Sequence, residues 1–407
     1  MFLKRKLYST NHKILEIHLS ETILKIAVIS PYFTTFFKQH EYGLAETLSK
    51  RHQVTILTSN RRMRKFFSKE KYFGLGTRKE QTVDGFKVIY LPTLSDFPEQ
   101  PFVPTIIPEI LESDYDLVHA HEDFQPVTLF AMLSCKVKGI PFMYTQERYY
   151  YPRPPWKQVY QLYEKSICKI VQRSADAIVA RSTAAKEFLV TNKALAEKIK
   201  VIPAGVDIKE FYPKEDTTFK QTLGYDNSPL ILTVARLHPN KGLPNLIKAM
   251  KYVTKKVPSA KLVILGKGSL YLPLKNLAHH LGIENSIRFH TDPIPNNKMI
   301  TVYSSCDIFV LPSLREPFGR ALVEALACGK PAIATNIGGP KDVIIDERTG
   351  YLVQPGDIRQ LAARMIALLT DHNLAGELGA NARHRIEKEY DWEVIASAYE
   401  KVYSQIM

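Results

Sequence analysis

The sequence predicts an α/β protein with two Rossmann-like, doubly wound parallel-sheet domains that face a central cleft. The first observation behind this prediction is length, because 407 residues exceed what one ordinary hydrophobic core organises. The second is composition, since 45% hydrophobic and 24% charged residues are typical of soluble globular proteins. The third is pattern: short apolar runs alternate with longer helical patterns, and the alternation starts again after a joint near Ile202–Val206.

The N-terminal half contains the first series of predicted strands. Its runs are apolar on both faces, which is typical of a parallel sheet covered by helices on both sides. After the first strand, a helical pattern extends from about Glu41 to Lys50. The predicted strands are Ile26–Ser30, Val54–Thr58, Val88–Leu91, Leu117–His121, Phe142–Thr145 and Ala177–Ala180.

The C-terminal half contains the second series. Its predicted strands are Leu230–Ala235, Lys261–Leu265, Ile287–His290, Ile308–Leu311 and Pro331–Ala334. We therefore assign residues 1–203 to an N-terminal Rossmann-like domain with a basic extension at 1–24, and residues 204–389 to a C-terminal Rossmann-like domain. Residues 390–407 are expected to form a helix that packs back on the first domain. Because open α/β sheets bind ligands at the carboxyl ends of their strands, we expect the substrates between the domains.

The charge of the chain is basic and uneven. The sequence has 55 Lys and Arg against 41 Asp and Glu, a net charge of +14. Residues 1–203 have 30 against 20, a net charge of +10, which leaves +4 for the rest of the chain. Such an excess indicates an anionic partner, which could be nucleic acid, a membrane surface or a phosphorylated substrate.

Cysteine spacing and apolar runs indicate a cytoplasmic protein. The four cysteines are widely separated and include no C-x-x-C pair, so reduced thiols are expected rather than a disulfide framework or a zinc site. No run approaches the roughly 20 apolar residues of a transmembrane helix. The basic start Met1–Leu7 has no apolar segment behind it, and a signal peptide is therefore not expected.

Glycine motifs argue against a nicotinamide dehydrogenase. The first predicted strand is followed by Ser30–His40, which has no G-x-G-x-x-G. The second domain has Gly266 and Gly268 directly after a strand, but such a turn alone is also common in ordinary strand-to-helix connections.

The most informative segment extends from Leu311 to Pro331. A strand ends, a loop contains Glu316, Gly319 opens a turn, and a short helix follows. The free N–H groups at a helix start suit a phosphate. The carboxylates of Glu316 and Glu324 suit hydroxyl groups on either side of it. The pattern alone leaves open the alternative that Glu316 caps the helix and Glu324 lies on its solvated face.

This segment resembles the Glu–seven-residue–Glu motif of the retaining nucleotide-sugar glycosyltransferases of family four, which have the GT-B fold. The resemblance extends over about residues 25–400 and is densest in the second domain. Three further matches are Ile202–Asp207 with Phe211 and Pro213 (inter-domain segment), Val234–Gly242 (diphosphate motif) and Gly338–Gly339 with Asp342, Gly350 and Pro355 (glycine motif).

The resemblance implies a retaining transferase that moves a hexose from a nucleoside-diphosphate sugar to an acceptor hydroxyl, without a cofactor or a metal. It implies that residues 1–203 form the acceptor-side domain and residues 204–389 the nucleotide-sugar-binding domain. It implies that Glu324 binds the ribose and Glu316 the transferred sugar. Arg236 and Lys241 match the cations that neutralise the diphosphate, where fixed positive charge stabilises the leaving group. The other expected donor contacts are Gly266, Gly268, Phe318, Gly319, Arg320 and Ala321.

The predicted strand Leu117–His121 ends in two histidines. The resemblance implies that His121 is the active-site histidine beside the donor sugar, whereas His119 is interpreted as structural. Because alternate side chains of a strand point to opposite faces, we expect one histidine to face the helices and the other to lie nearer the cleft. No third ligand is in register for a metal. Asp114 and Asp116 have the D-x-D form of metal-dependent transferases but are interpreted as structural.

Four positions depart from the family pattern. Lys38 and Gln39 replace the common Gly-Gly of the first loop, Ala204 replaces an Asn, and Asp342 replaces a Glu. Because glycine permits close backbone approach, the first loop must be shaped differently, and acceptor contacts cannot be transferred from the family.

A strongly basic segment interleaved with aromatics follows the second predicted strand. Its composition suits nucleic acid, and it also suits an anionic bilayer, where each Lys or Arg contributes about 1 kcal/mol. A second candidate is the aromatic segment Arg148–Tyr163. It has Trp156, Tyr160 and Tyr163 at the spacing of one helical face, although these rings could equally pack on the core. The residues interpreted as a membrane or acceptor contact are Arg61, Arg62, Arg64, Lys65, Phe66 and Phe67.

The predicted protein is therefore a cytoplasmic glycosyltransferase bound peripherally to the inner face of the membrane. Its expected role is glycolipid, lipid-linked or cell-surface glycan synthesis. The alternatives are a sugar-nucleotide epimerase or a phosphorylase on the same architecture and, from a different class, a basic nucleic-acid-binding protein. Nucleic-acid binding is the less favoured interpretation of the basic charge, and nucleic acid is not expected as a partner. The donor base, the sugar, the acceptor linkage and the oligomeric state are not predicted.

Overall fold

The computed structural model describes residues 23–35, 38–61, 77–95, 100–151 and 156–407. These residues form two α/β domains, and each domain is built on one mainly parallel sheet. The prediction of two doubly wound parallel-sheet domains is therefore confirmed.

The N-terminal sheet has eight strands in the order β3-β4-β2-β1-β5-β6-β7-β8. Its neighbours pair in parallel, except that β3 and β4 pair antiparallel at one edge. The strands are β1 Lys25–Ser30, β2 Gln53–Ser59, β3 Lys79–Val83, β4 Phe86–Leu91, β5 Leu117–His121, β6 Phe142–Gln146, β7 Ala177–Ala180 and β8 Ile199–Val201.

The C-terminal sheet has six strands, all parallel, in the order β11-β10-β9-β12-β13-β14. The strands are β9 Leu230–Val234, β10 Lys261–Leu265, β11 Ile287–His290, β12 Ile308–Leu311, β13 Ala332–Thr335 and β14 Tyr351–Val353. In both sheets the central strands carry apolar side chains on both faces, and helices cover these faces. The carboxyl ends of the central strands are therefore the free edge at which a ligand can bind.

The helices of the first domain alternate with its strands. They are α1 His40–Leu48, α2 Ile106–Glu112, α3 Pro126–Lys138, α4 Trp156–Tyr163, α5 Lys169–Ser174 and α6 Thr183–Thr191. A π-helical turn, Glu164–Cys168, joins α4 to α5.

The second domain has nine helices among the residues described. They are α7 Thr218–Thr222, α8 Leu243–Lys256, α9 Tyr271–His280, α10 Met299–Ser304, α11 Arg320–Ala327, α12 Pro340–Val343, α13 Ile358–Thr370, α14 His372–Glu389 and α15 Trp392–Ile406.

The last of these helices, α15, packs on the first domain. Ile395, Tyr399 and Tyr403 are buried in the same apolar cluster as strands β1 and β2. The indole of Trp392 lies where a Cβ at Gly43 or at Gly205 would come within 2.2 and 2.5 Å of its ring atoms. Helix α15 therefore connects the inter-domain segment to the core of the N-terminal domain.

Several predicted features lie outside the described residues. They are residues 1–22 of the basic extension and Arg62, Arg64, Lys65, Phe66 and Phe67 of the basic segment, together with the side chains of Trp156 and Tyr160. Within the described part of the chain, no helix has the length and apolar character needed to cross a bilayer. All four cysteines are buried and free of disulfide bonds.

Candidate active site

A loop between β12 and α11 forms one wall of the cleft. Gly319 precedes α11 with a φ of 97°, a left-handed conformation that favours glycine. A Cβ at this position would also lie 3.2 Å from the Leu311 side chain. The loop therefore turns sharply and aims the start of α11 at the carboxyl edge of the sheet. Because the first N–H groups of a helix have no partner within it, this position suits an anion.

Glu316 lies in that loop and forms an ion pair with a lysine. Its Oε2 atom lies 2.6 Å from Lys241 Nζ and accepts a hydrogen bond of 2.8 Å from Ser313 Oγ. Only 6% of the residue is exposed. Arg236 follows β9 and is exposed, and its guanidinium makes no hydrogen bond or ion pair with any residue the structure describes. The pair and the free guanidinium bring three predicted site residues to one edge of the sheet.

Glu324 is buried on the inner side of α11. The hydroxyl of Tyr303 donates to its Oε2 atom over 2.6 Å, and Arg320 lies 3.0 Å from Oε1. The alternative that Glu324 lies on a solvated helix face is therefore wrong. Burial, and then the charge of Glu324, raises the pKa of Tyr303, so the tyrosine remains a donor to this carboxylate.

Gly266 and Gly268 hold the loop that contains Arg236. Their φ angles are 146° and 156°, and a Cβ at either position would meet the carbonyl oxygens of Ala235 or Leu237 at 2.0 and 2.3 Å. The backbone N–H of Leu237 also donates to the carbonyl of Lys267 over 2.8 Å. The structure thus gives the two glycines a packing role, and direct contact with a donor remains a prediction.

The two histidines of β5 lie on the same face of the sheet. Their ring centroids are 4.8 Å apart and their planes nearly parallel. The prediction that they diverge is wrong, because residues two apart on a strand share a face. His119 is buried, with its ring nitrogens 3.0 Å from Tyr403 Oη and 2.7 Å from Thr145 Oγ1. These contacts agree with a structural role for His119.

His121 contacts charged groups from two other elements. Its Nδ1 atom lies 3.3 Å from Arg181 Nη2, directly after β7, and 3.6 Å from Glu41 Oε1 on α1. Burial, and then the charge of Arg181, lowers the pKa of His121 well below its ordinary value. Arg181 itself is buried and forms an ion pair with Glu147. His121 is therefore neutral within a charged cluster.

Glu122, next along the chain, has an unusual backbone. Its φ of 66° is rare for a residue other than glycine, and such conformations concentrate at functional sites. Burial raises the pKa of its carboxyl to about 8. Its Oε1 atom accepts a hydrogen bond of 3.0 Å from the backbone of Glu147. The turn after β5 is thus fixed against the turn after β6.

The loop after β6 crosses the cleft to the second domain. The hydroxyl of Tyr149 accepts a hydrogen bond of 2.8 Å from the backbone N–H of Glu316. The guanidinium of Arg315 lies 4.8 Å from the ring centroid of Tyr150 and donates to the carbonyl of Tyr151 over 3.2 Å. Sequence reasoning treated these tyrosines as part of a surface segment and missed their contact with the Glu316 loop.

Two of the family departures also lie at the domain boundary. Lys38 Nζ, in the loop where the family has Gly-Gly, lies 3.3 Å from Glu210 Oε2. The carboxylate of Asp342 accepts hydrogen bonds of 2.7 and 2.8 Å from the backbone and side chain of Thr183, at the start of α6. Both departures thus contribute contacts between the two halves of the cleft.

The potential metal ligands are already occupied by other groups. Asp116 accepts a hydrogen bond of 2.7 Å from the backbone of Lys25, and Asp114 pairs with the Lys25 side chain, in agreement with a structural role for the D-x-D pair. Among the described residues, one further trio has the spacing of a metal site: Asp123, Glu164 and Cys168. Its two carboxylates are held by Arg148 and Gln172, and burial raises the pKa of the thiol, which disfavours a metal there.

Arg181 was not among the predicted site residues. Its position in the sequence could have identified it as a candidate. Arg181 directly follows one predicted strand of the parallel sheet, and Glu122 directly follows another. The carboxyl ends of parallel strands meet at one edge. Side chains just after each strand were therefore candidates for the same site.

Comparison with known proteins gives the family context. The family model "Glycosyltransferase Family 4" matches residues 39–210, and the model "Glycosyl transferases group 1" matches residues 214–385. The two matches cover most of the chain and divide it between Glu210 and Lys214.

Curated relatives match part of their own length. A D-inositol 3-phosphate glycosyltransferase from Xylanimonas cellulosilytica is 32% identical over 247 residues, covering 58% of each chain. A GDP-mannose-dependent monoacylated alpha-(1-6)-phosphatidylinositol monomannoside mannosyltransferase from Corynebacterium glutamicum is 33% identical over 205 residues, covering 48% of this chain and 53% of its own. The chain thus spans less than two thirds of the length of these relatives.

Solved structures share the fold. The Anabaena protein Alr3699/HepE, crystallised with UDP and glucose, superposes with a TM-score of 0.74 at 20% identity, over 94% of this chain and 99% of its own. This likeness and the two facing parallel-sheet domains show that the chain has the GT-B fold.

Proposed function

The chain belongs to the group 1 glycosyltransferases, and from this premise we propose that it transfers a hexose from a nucleoside-diphosphate sugar to an acceptor hydroxyl with retention of configuration. The observation that carries the proposal is the Lys241–Glu316 pair beside the start of α11, together with Glu324, which is buried on the inner side of that helix. These groups are a cation for the diphosphate and two carboxylates for hydroxyl groups on either side of it.

Each donor group has a residue that suits it. Arg236 and Lys241 bind the diphosphate together with the N–H groups of Arg320 and Ala321 at the start of α11. Glu324, held by Tyr303, accepts hydrogen bonds from the ribose. Glu316 accepts hydrogen bonds from the sugar once Lys241 turns to the phosphates. The backbone of Phe318 and Gly319 lies against the sugar and phosphate, as the resemblance implies.

In the transfer step, the bond between the anomeric carbon and the diphosphate oxygen breaks, and the acceptor oxygen bonds to the same carbon. The acceptor proton passes to the departing diphosphate on the same face, and retention follows. The negative charge that develops on the diphosphate is stabilised by Arg236 and Lys241 in a cleft that excludes water. Because these cations and the helix start supply the positive charge, we propose that no metal is required.

We place the acceptor on the side of His121 and propose that it is membrane-borne. The name of the Corynebacterium glutamicum relative specifies a phosphatidylinositol mannoside as its acceptor. The net charge of +10 on residues 1–203 suits an anionic membrane surface, and with it a cytoplasmic, peripheral location on the inner face.

The membrane part of the proposal has its own test. The triple variant Arg62→Glu, Arg64→Glu, Lys65→Glu should abolish co-sedimentation with phosphatidylglycerol-containing vesicles, because it reverses the charge of the basic segment. Its affinity for nucleotide should stay unchanged. If the wild-type protein does not co-sediment with such vesicles at low salt, the proposed membrane contact is wrong.

The donor is identified by a screen. Purified protein is incubated with UDP-, GDP- and ADP-sugars, and nucleotide release is followed with and without a membrane lipid extract. We expect release from one donor class, and only when an acceptor is present. If no sugar nucleotide binds or turns over, the proposed function is wrong. Tight, salt-sensitive binding to nucleic acid that survives Glu316→Ala and Glu324→Ala would favour the nucleic-acid-binding alternative.

A further inference from the structure

A cluster of buried side chains below the cleft contains three polar atoms with no partner in the described part of the chain. They are His40 Nδ1, His121 Nε2 and Arg181 Nε. The atoms belong to one group, since the His40 and His121 ring centroids lie 5.6 Å apart and Arg181 contacts His121. Buried polar groups are normally hydrogen-bonded, so three such atoms together indicate a site that a ligand completes.

Arg181 determines which nitrogen of His121 holds the proton. A guanidinium has donors only and stays protonated, so an imidazole nitrogen that it contacts must present its lone pair. Arg181 Nη2 lies 3.3 Å from His121 Nδ1. The competing carboxylate, Glu41, lies 3.6 Å from the same nitrogen, beyond a normal hydrogen bond. Nδ1 is therefore the acceptor, and the proton of the neutral ring is on Nε2.

The neighbouring histidines have no such constraint. His119 contacts the hydroxyls of Tyr403 and Thr145, and His40 Nε2 lies 3.4 Å from Tyr399 Oη. A hydroxyl can donate or accept, so either tautomer satisfies these contacts. Of the three rings, His121 is the one whose tautomer is set by a charged donor.

We propose that Arg181 is a positioning residue for His121 in glycosyl transfer. It holds the imidazole neutral with the proton on Nε2, so that this N–H donates to an oxygen of the bound sugar. Glu147 pairs with the other terminal nitrogen of the guanidinium, Nη1, and leaves Nη2 to donate to His121. The proposal rests on the proposed function, but its first readout concerns the resting protein alone.

That readout is nitrogen NMR of the full-length protein labelled with 15N-histidine, in which His121→Asn identifies the His121 signals. We expect the Nε2–H tautomer in the wild type. In Arg181→Met, which keeps a long side chain but removes the donor, we expect this preference to be lost, while the His119 signals stay in place. An Nδ1–H tautomer in the wild type, or an unchanged tautomer in Arg181→Met, overturns the proposal.

Kinetics separate positioning from folding. Arg181→Met should lower kcat by about 100-fold, the usual effect of losing one preorganised donor, with a smaller change in donor KM. Arg181→Lys should recover part of the rate. Glu147→Gln is the matched control, since it removes the ion pair and leaves Arg181 to donate to Nδ1. Equal kcat losses in Arg181→Met and Glu147→Gln would mean a merely structural role.

Failure of Arg181→Met to fold and absence of turnover have different consequences for the proposal. If Arg181→Met does not fold, an Nδ1–H tautomer in the wild type or in Arg181→Lys still overturns the proposal, and the Nε2–H tautomer in both supports it. Absence of turnover with every donor would refute the proposed function, whereas the tautomer of His121 is measured without any substrate.

Discussion

At the residue scale, two charged side chains of the proposed donor site form an ion pair with each other when no donor is bound. Lys241 and Glu316, 2.6 Å apart, neutralise each other in a half-enclosed position. Ser313 also donates to Glu316, so this carboxylate keeps one partner when the lysine moves. The arrangement allows Lys241 to exchange a carboxylate for a phosphate without leaving Glu316 unsatisfied.

Lys241→Ala should therefore impair catalysis far more than folding. We expect kcat to fall by about 100-fold, since one fixed cation at the leaving group is lost. The free energy of unfolding should fall by about 1 kcal/mol, because Ser313 still satisfies Glu316. Steady-state kinetics and urea unfolding measure the two effects.

The matched control is Lys214→Ala. The exposed side chain of Lys214 lies in the same domain, 3.0 Å from Asp216, and is not among the residues proposed to bind the diphosphate. This variant should change neither quantity, since Thr218 still donates to Asp216 and an exposed lysine contributes little to stability. Equal losses of activity and stability in Lys241→Ala would remove its proposed role.

The sequence brought together the residues proposed for the donor more completely than those around His121. Glu316 and Glu324 lie eight positions apart in one recognisable segment, and the structure places both at the same loop and helix. Arg181 and Tyr149 reach the cleft from loops far apart in sequence, after β7 and β6. Their positions depend on how the strands are ordered in the sheet, which no local pattern contains.

At the element scale, α15 joins the two halves of the molecule. It begins at Trp392, whose indole fills the space above Gly43 of α1 and Gly205 of the inter-domain segment. Farther along the helix, Tyr399 and Tyr403 reach Thr145 and His119 below the cleft. The helix therefore supports the histidine cluster from beneath while its first residue packs at the joint.

Gly43→Ala should destabilise the protein by about 1–3 kcal/mol, because the added methyl overlaps the Trp392 ring and must displace it. Gly376→Ala is the control, since Gly376 lies inside α14 with nothing within 4 Å of the new Cβ. That change should be neutral or stabilising by up to about 1 kcal/mol. Thermal unfolding of both variants compares them, and a Gly43→Ala protein as stable as wild type would contradict the packing described.

Strand prediction succeeded in the sheet centres and failed at three of the four sheet edges. The central strands are apolar on both faces, and each predicted run corresponds to an observed strand. The strands β3, β8 and β14 were missed. The sequence of β3, KEQTV, is largely exposed, and β8 and β14 have only three residues each. Edge strands of this kind lack the continuous apolar run on which the prediction depended.

At the scale of the whole molecule, two domains share one cleft and divide the charge between them. The cations assigned to the donor lie in the second domain, whereas most of the net positive charge lies in residues 1–203. Residues of the basic segment beyond Arg61 lie outside the described structure, so their contact with a membrane remains a prediction. The two-domain architecture itself was predictable from the repeated strand series, because each series is long enough for one sheet.

The most direct test of the central claim is NMR of a reaction mixture that contains the protein, its preferred sugar nucleotide and an acceptor. We expect a new glycosidic anomeric signal on the acceptor, with the configuration of the donor, and an equal amount of free nucleoside diphosphate. Both signals should require the acceptor and should grow about 100-fold more slowly in Lys241→Ala. An isomerised sugar nucleotide, a sugar 1-phosphate, or a product of inverted configuration would contradict the account.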